Sequence, residues 1–218
     1  MKMRYGVADE KIVVVTHAAP DSYNVAPPLP FTDERRSHVL YVGQFTFIKA
    51  PMIVAEAMSR VAAAREDARF TWVAAGADHE AIRALASPGL RLRLNLLDWM
   101  PQDALRAVYD SAGIFLFPSF FEGTGKASIE ALSRGLCVVA TAVGGMRDMI
   151  ENGVSGVLVE PGSSIAVATS VLSLMNDAAG VRRMSEAAAA RAREYTWQRT
   201  ASRTADFYRA RIQAKQVR

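Results

Sequence analysis

What this chain has little of narrows its chemistry first. It holds one cysteine, Cys137, in 218 residues, so no disulfide can form within it. The apolar run around that residue (Leu-Cys-Val-Val) marks a buried, inert thiol rather than a nucleophile. There is no Asp-x-Asp motif and no cluster of His and Cys, so nothing calls for a bound metal. No run approaches the roughly 18 apolar residues that a membrane span needs, and the N-terminus carries no secretory signal. A soluble, cytoplasmic setting is therefore expected. No internal repeat or low-complexity stretch is visible.

The composition that remains is ordinary for a globular domain. Half of the residues are hydrophobic and 22% are charged, enough for one domain, or one large domain with a helical tail. The net charge of +4 is unevenly spread. Residues 181–218 carry ten Arg or Lys against three Asp or Glu, a balance of +7 that leaves −3 for the rest. Basic tails bind nucleic acid or anionic membrane surfaces. Here the basic residues fall on the polar sides of helices, without the interleaved aromatics of single-strand binders. A solvated face is the preferred reading, no nucleic acid is expected, and weak attraction to the cytoplasmic membrane face stays open.

Strands alternate with helices along the chain, the pattern of a doubly wound parallel sheet. Residues 11–16 (Lys-Ile-Val-Val-Val-Thr) read as a first strand, and the Pro-rich residues 20–37 as a loop rather than a core element. His17 opens that loop and reads as structural. A strand at 39–43 is followed by a loop and a helix to about residue 64. A further strand covers 70–76, a helix lies near 80–86, and the alternation at 90–96 suggests a strand with one exposed side. A helix spans 102–111. Past residue 135 come a strand at 136–140, a short helix at 146–151 and a last strand at 157–159. A helix capped by Ser163 or Ser164 places Ile165, Leu172 and Met175 on one face. Another helix spans 181–194. The closing segment carries Trp197, Ala201, Tyr208 and Ile212 as a stripe suited to docking. The expected units are a lead-in at 1–37, a nucleotide-binding domain at 38–195 and a final helix at 196–218.

The organising stretch is 117–130 (Phe-Pro-Ser-Phe-Phe-Glu-Gly-Thr-Gly-Lys-Ala-Ser-Ile-Glu). The apolar run 114–117 is a buried strand ended by Pro118, since proline cannot donate to a central ladder. Gly123 and Gly125 bracket a tight loop, and Lys126 opens a helix that runs through Ser133 and is closed by Gly135. A strand, a glycine loop and a helix N-terminus make an anion site, because free N–H groups and the helix dipole point at the loop. Two carboxylates flank it. Glu122 precedes the helix, and Glu130 lies over its second turn, placed to accept hydrogen bonds from hydroxyls beside a bound phosphate.

The two glutamates, separated by seven residues, continue into the rest of that helix, the Ala-Val-Gly-Gly turn at 142–145 and Glu-Asn-Gly at 151–153. In order and spacing this resembles the donor-binding half of the retaining GT-B glycosyltransferases, the glycosyl transferases group 1 family. The resemblance implies one Rossmann-like half of a GT-B fold with C-terminal helices. It also implies a partner half, the acceptor-binding N-terminal domain, on which the last helix would pack. Residues 4–15 resemble the passage between those two domains.

What the resemblance implies about the site follows residue by residue. The loop after the strand ending at Gly43 holds the donor phosphates through an Arg and a Lys. Lys49 matches the lysine, Gln44 stands where the arginine is expected, and Ala50 replaces the glycine that follows. A planar cation is thereby lost, and with it bidentate phosphate binding. Lys126 could supply a replacement charge. Trp99 and Met100 border the nucleobase. The amides of Gly123, Thr124, Gly125, Lys126 and Ala127 face the diphosphate, Glu130 the ribose hydroxyls and Glu122 the donor sugar, with Lys49 and Glu122 as the catalytic pair. The substrate implied is a nucleotide sugar, UDP- or GDP-linked, whose hexosyl group passes to an acceptor hydroxyl with retention. No cofactor is implied, and a phosphorylase would need a lysine carrying pyridoxal phosphate that is not identifiable here. The alternative is a non-catalytic sugar-nucleotide-binding or scaffold module.

Overall fold

The computed structural model describes residues 11–24 and 27–216. Six strands form one parallel sheet in the order β3-β2-β1-β4-β5-β6. They are β1 (His38–Val42), β2 (Arg69–Val73), β3 (Leu94–Leu97), β4 (Ile114–Phe117), β5 (Cys137–Thr141) and β6 (Gly156–Val159). The chain runs from the centre out to one edge, returns beside β1, and then runs out to the other edge. β4 is buried at every position and β1 at all but its first. That is why these central strands read as unbroken apolar runs rather than alternating ones.

Alternate residues serve opposite faces. Val39, Tyr41, Phe70, Trp72, Ile114, Leu116, Cys137 and Val139 pack with helix α1 (Pro51–Ala64), α2 (His79–Leu85) and α5 (Ser164–Asn176) in one core. Leu40, Val42, Val73, Phe115, Phe117, Val138 and Ala140 pack in a second core with α3 (Gln102–Ser111), α4 (Lys126–Ser133) and the end of α6 (Ala178–Ala192). Cys137 is fully buried, and that burial pushes its thiol up to about 12, in keeping with an inert group. The final helix, α7 (Trp197–Gln216), closes the chain.

Several sequence expectations need correction. Residues 12–16 form no strand. A strand needs a ladder partner, and this segment pairs with neither edge of the sheet. It runs instead against α7, where Thr200 Oγ1 donates to the Thr16 carbonyl at 2.9 Å and His17 meets the Trp197 ring edge-on, leaving Val14 67% exposed. Residues 4–10 of the passage expected between two domains lie outside the described residues. The Pro-rich loop is not peripheral either, since Tyr23 within it is fully buried in the second core. Buried Arg35 and Arg134 tie the loop down by donating to the carbonyls of Leu29 and Tyr23. Residues 88–91 are helical rather than extended. Pro88 begins the turn and Ser87 Oγ accepts from Leu90 N–H, a favourable helix start, so the strand begins only at Leu94. In α5 the buried stripe is Val167, Val171, Leu174 and Met175, while Ile165 is 59% exposed in the first turn. The short helix after the Gly-Gly turn ends at Met149. In α7, Tyr208 and Ile212 are exposed.

Candidate functional site

Strands β1 and β4 are neighbours that lead in opposite directions across the sheet. The crevice at their carboxyl ends is therefore the topological switch point, where doubly wound sheets bind ligands. The two loops that leave these strands meet there. Phe120 N–H donates to the Ile48 carbonyl at 2.8 Å, and the Phe47 and Phe120 rings stack at 5.2 Å.

The first loop leaves β1 at Gly43, which is buried, and turns through Phe47–Lys49 as a short 3-10 helix. Ala50 follows with φ +53°, a left-handed conformation that glycine adopts freely and alanine does not. This turn aims Lys49 back across the crevice, where its ammonium forms a charge-assisted hydrogen bond with Glu122 Oε1 and lies 5.1 Å from the centre of the Phe117 ring. Gln44, the residue where an arginine was expected, is exposed at the end of β1.

The second loop carries Glu122, whose side chain is only 8% exposed, then Gly123, Thr124 and Gly125. Gly125 sits at φ +68° and precedes α4. A Cβ there would fall 2.5 Å from the Met146 methyl. The first backbone bond of α4 is the one Ser128 donates to the Gly125 carbonyl, so the amides of Lys126 and Ala127 point out of the helix N-terminus. A third loop buttresses this one from behind. Gly145 N–H donates to the Gly123 carbonyl at 2.8 Å, and a Cβ on Gly144 would fall 1.8 Å from the Glu122 carbonyl oxygen.

Glu130 faces inward from α4 and is 4% exposed. Tyr109 donates its hydroxyl to Glu130 Oε2 at 3.0 Å, and Lys126 Nζ lies 3.7 Å from Oε1. Burial raises the Glu130 carboxyl above the ordinary range, with the Tyr109 and Lys126 contacts opposing it. Trp99 is 47% exposed and Met100 half-buried, both just beyond the carboxyl end of β3. The structure thus gathers Gly43, Lys49, Glu122, the 123–127 backbone and Glu130 about the crevice. Trp99 and Met100 stand at the same edge of the sheet, two strands away. Tyr109 was missed by the sequence reading. A tyrosine four residues after Leu105 on a core-facing helix stripe needs a partner for its hydroxyl, and that was the available signal.

Chemically, the crevice offers a cation, free amides at a helix dipole and two carboxylates. Among the described residues no three His, Cys, Asp or Glu side chains converge as a metal site would require. A separate cavity of about 670 Å³ lies at the amino edge of β6, between α5 and α6. Asp177 and Arg183 line it, and none of the crevice residues does.

Residues 36–177 match the family model of the group 1 glycosyl transferases. The chain belongs to that family. Two curated relatives carry the name D-inositol 3-phosphate glycosyltransferase. The one from Corynebacterium glutamicum (strain R) is 30% identical over 82% of this chain and 44% of its own length. That from Segniliparus rotundus is 32% identical over 83% of this chain and 41% of its own. The chain thus spans less than half the length of either. Among solved structures, S. aureus TarM, solved with UDP, fondaparinux and alpha-GlcNAc-glycerol, superposes with a TM-score of 0.82 at 18% identity. It is covered over 41% of its length by 94% of this chain. HepE of Anabaena, solved with UDP, gives 0.76 at 20%, with 95% of this chain on 60% of HepE. At these identities the likeness is one of fold, and the fold is that of one GT-B half. As a group 1 glycosyltransferase domain, the chain has no single helix among its described residues long and apolar enough to cross a membrane. The α5 and α6 pair passes by composition only when taken together across a 107° bend, and both helices pack into the cores.

Proposed function

We propose that the crevice between β1 and β4 binds the donor of a retaining glycosyltransferase, a UDP- or GDP-linked sugar. The observation that carries this reading is the meeting of Lys49 and Glu122 at the N-terminus of α4, with Glu130 one turn further in. Breaking the glycosidic bond loads negative charge onto the leaving diphosphate, and preorganised donors aimed at that charge supply most of the catalysis. Lys49 and the amides of residues 124–127 fill that role, with Lys126 a second cation in place of the arginine that Gln44 replaces. Glu122 faces the donor sugar, Glu130 the ribose, and Trp99 and Met100 the base. The UDP in the TarM and HepE structures supports a nucleotide here. Hexosyl transfer requires an acceptor-binding half, so this chain alone binds without turning over. The exposed Gln44 favours a second reading, a module that binds a nucleotide or a partner and catalyses nothing.

Thermal unfolding with millimolar UDP, GDP or ADP tests whether the crevice binds a nucleotide at all. Ligand at about a hundred times its Kd adds about 2.7 kcal/mol, a rise of several degrees for a chain this size. One nucleotide should raise the melting temperature of the wild type and of neither Lys49→Ala nor Glu130→Ala. No shift with any of the three would sink the donor site and leave the scaffold.

A further inference from the structure

Glu130 is oriented from outside its own helix. Tyr109 stands on α3, fully buried, with its ring wedged between Tyr23 at 5.8 Å and Phe115 at 5.7 Å. Such a ring has little freedom, so its hydroxyl reaches a fixed point beneath α4. That point is Glu130 Oε2, at 3.0 Å, with the Ala127 carbonyl a longer alternative at 3.4 Å. The other carboxylate oxygen, Oε1, lies on the side of Lys126, a residue with half of its side chain in solvent. One oxygen is held from within, and the other is left for a ligand.

We infer that Tyr109 is a positioning residue. Its hydroxyl pins Oε2 so that Oε1 is presented to the ribose hydroxyls of a bound nucleotide. The inference rests on the donor site proposed above. A carboxylate 4% exposed without that bond could rotate toward Lys126 or take up a proton, and in either state it accepts less well from a diol. The charged and titratable groups about it are few. Tyr109 approaches from α3 and Lys126 from α4. Tyr23, on the loop before β1, senses the Glu130 charge and lies in the field of Arg106, Arg134 and Asp110. Burial raises both tyrosines, so they stay neutral across the accessible range, and Tyr109 acts as a permanent donor.

The test is Tyr109→Phe, which keeps the ring. Calorimetry between pH 5 and 8 would compare UDP and GDP with their 2′,3′-dideoxy analogues. Loss of a hydrogen bond to a charged group should weaken the ribonucleotide about ten-fold and leave the dideoxy analogue within about two-fold. The acid limb of ribonucleotide binding should also move to higher pH. Equal losses for both nucleotides, or an unmoved pH limb, would overturn the inference and leave Tyr109 as packing. In a Glu130→Gln background Tyr109→Phe should cost nothing further, whereas a loosened fold would add its loss again. If the wild type binds neither UDP nor GDP, the donor reading has failed. The pinning of Glu130 is then read without ligand, by a carbon-13 titration of its carboxyl, and an unmoved titration in Tyr109→Phe would overturn the pinning as well.

Discussion

Lys49 and Glu122 stand 73 positions apart, yet their charge-assisted hydrogen bond joins the loops that leave two adjacent strands. The pair is lopsided. The lysine side chain keeps 22% of its exposure and the glutamate 8%. Removing the lysine therefore strands a buried carboxylate, which is worse than removing both partners.

Lys49→Ala should accordingly lower stability by about 1–3 kcal/mol, read as a drop in the urea midpoint at constant slope. Glu122→Gln in the same background should restore much of that loss, because no stranded charge remains. A double variant less stable than Lys49→Ala would mean that the pair adds little and that the loops are held by Phe47 and Phe120.

Glu130 should weigh against folding at neutral pH. Its carboxyl is raised by burial, so the folded chain holds that proton more tightly than the unfolded chain does. The stabilising linkage is complete below the unfolded value and is lost as pH rises through the folded one. Glu130→Gln, neutral at every pH, should therefore melt above the wild type at pH 7 and close to it near pH 4. Its nucleotide response should be diminished. Identical melting temperatures at pH 7 would contradict the burial argument.

Ala50, which caps α1, contrasts with an alanine inside that helix. Its left-handed φ costs about 1–2 kcal/mol for a residue with a Cβ, which Ala50→Gly removes. That gain is offset by glycine's added chain entropy and by the loss of one buried methyl, each about 0.5–1 kcal/mol. The net effect should lie within about 1 kcal/mol of zero. Ala57→Gly, fully buried in the middle of α1, has only the two losses and should be clearly destabilising. Equal costs from chemical denaturation would show that Ala50 carries no strain.

Gly144→Ala should be damaging for a steric reason. A Cβ 1.8 Å from the Glu122 carbonyl oxygen meets backbone, which cannot swing aside as a flexible side chain would. The positive φ of +48° adds strain. A loss above about 2 kcal/mol is expected, together with weaker nucleotide binding, since the displaced backbone carries Glu122. Gly153→Ala, at φ +80° but with open space around it, is the control that carries the strain without the collision.

Much of this architecture was legible in the sequence, because parallel strands buried on both faces announce themselves as apolar runs bounded by Pro and Gly. The spans of β4, α3 and α4 were read to the residue. Where the reading failed, local pattern was overruled by partners it could not see. The run at 11–16 has the composition of a strand and no neighbour to pair with. Leu90 fits an alternating pattern but sits in a turn begun by Pro88 and capped by Ser87. The site shows the same division. Lys49 and Glu122 were legible singly, one from each loop. Their contact was not, because it depends on β1 and β4 being adjacent. Tyr109 was invisible as a partner of Glu130 because that contact depends on α3 packing against α4.

The order of strands gives the chain a natural seam. Residues 38–97 supply β1 to β3, and residues 114–159 supply β4 to β6, so each half is a unit of three strands that owns one of the two site loops. The halves join along the short β1–β4 pairing of Val39 with Ile114 and Leu40 with Phe115, and through the two cores that both share. Neither half can assemble the crevice by itself. A ligand gripping both loops would act as a clasp across the seam.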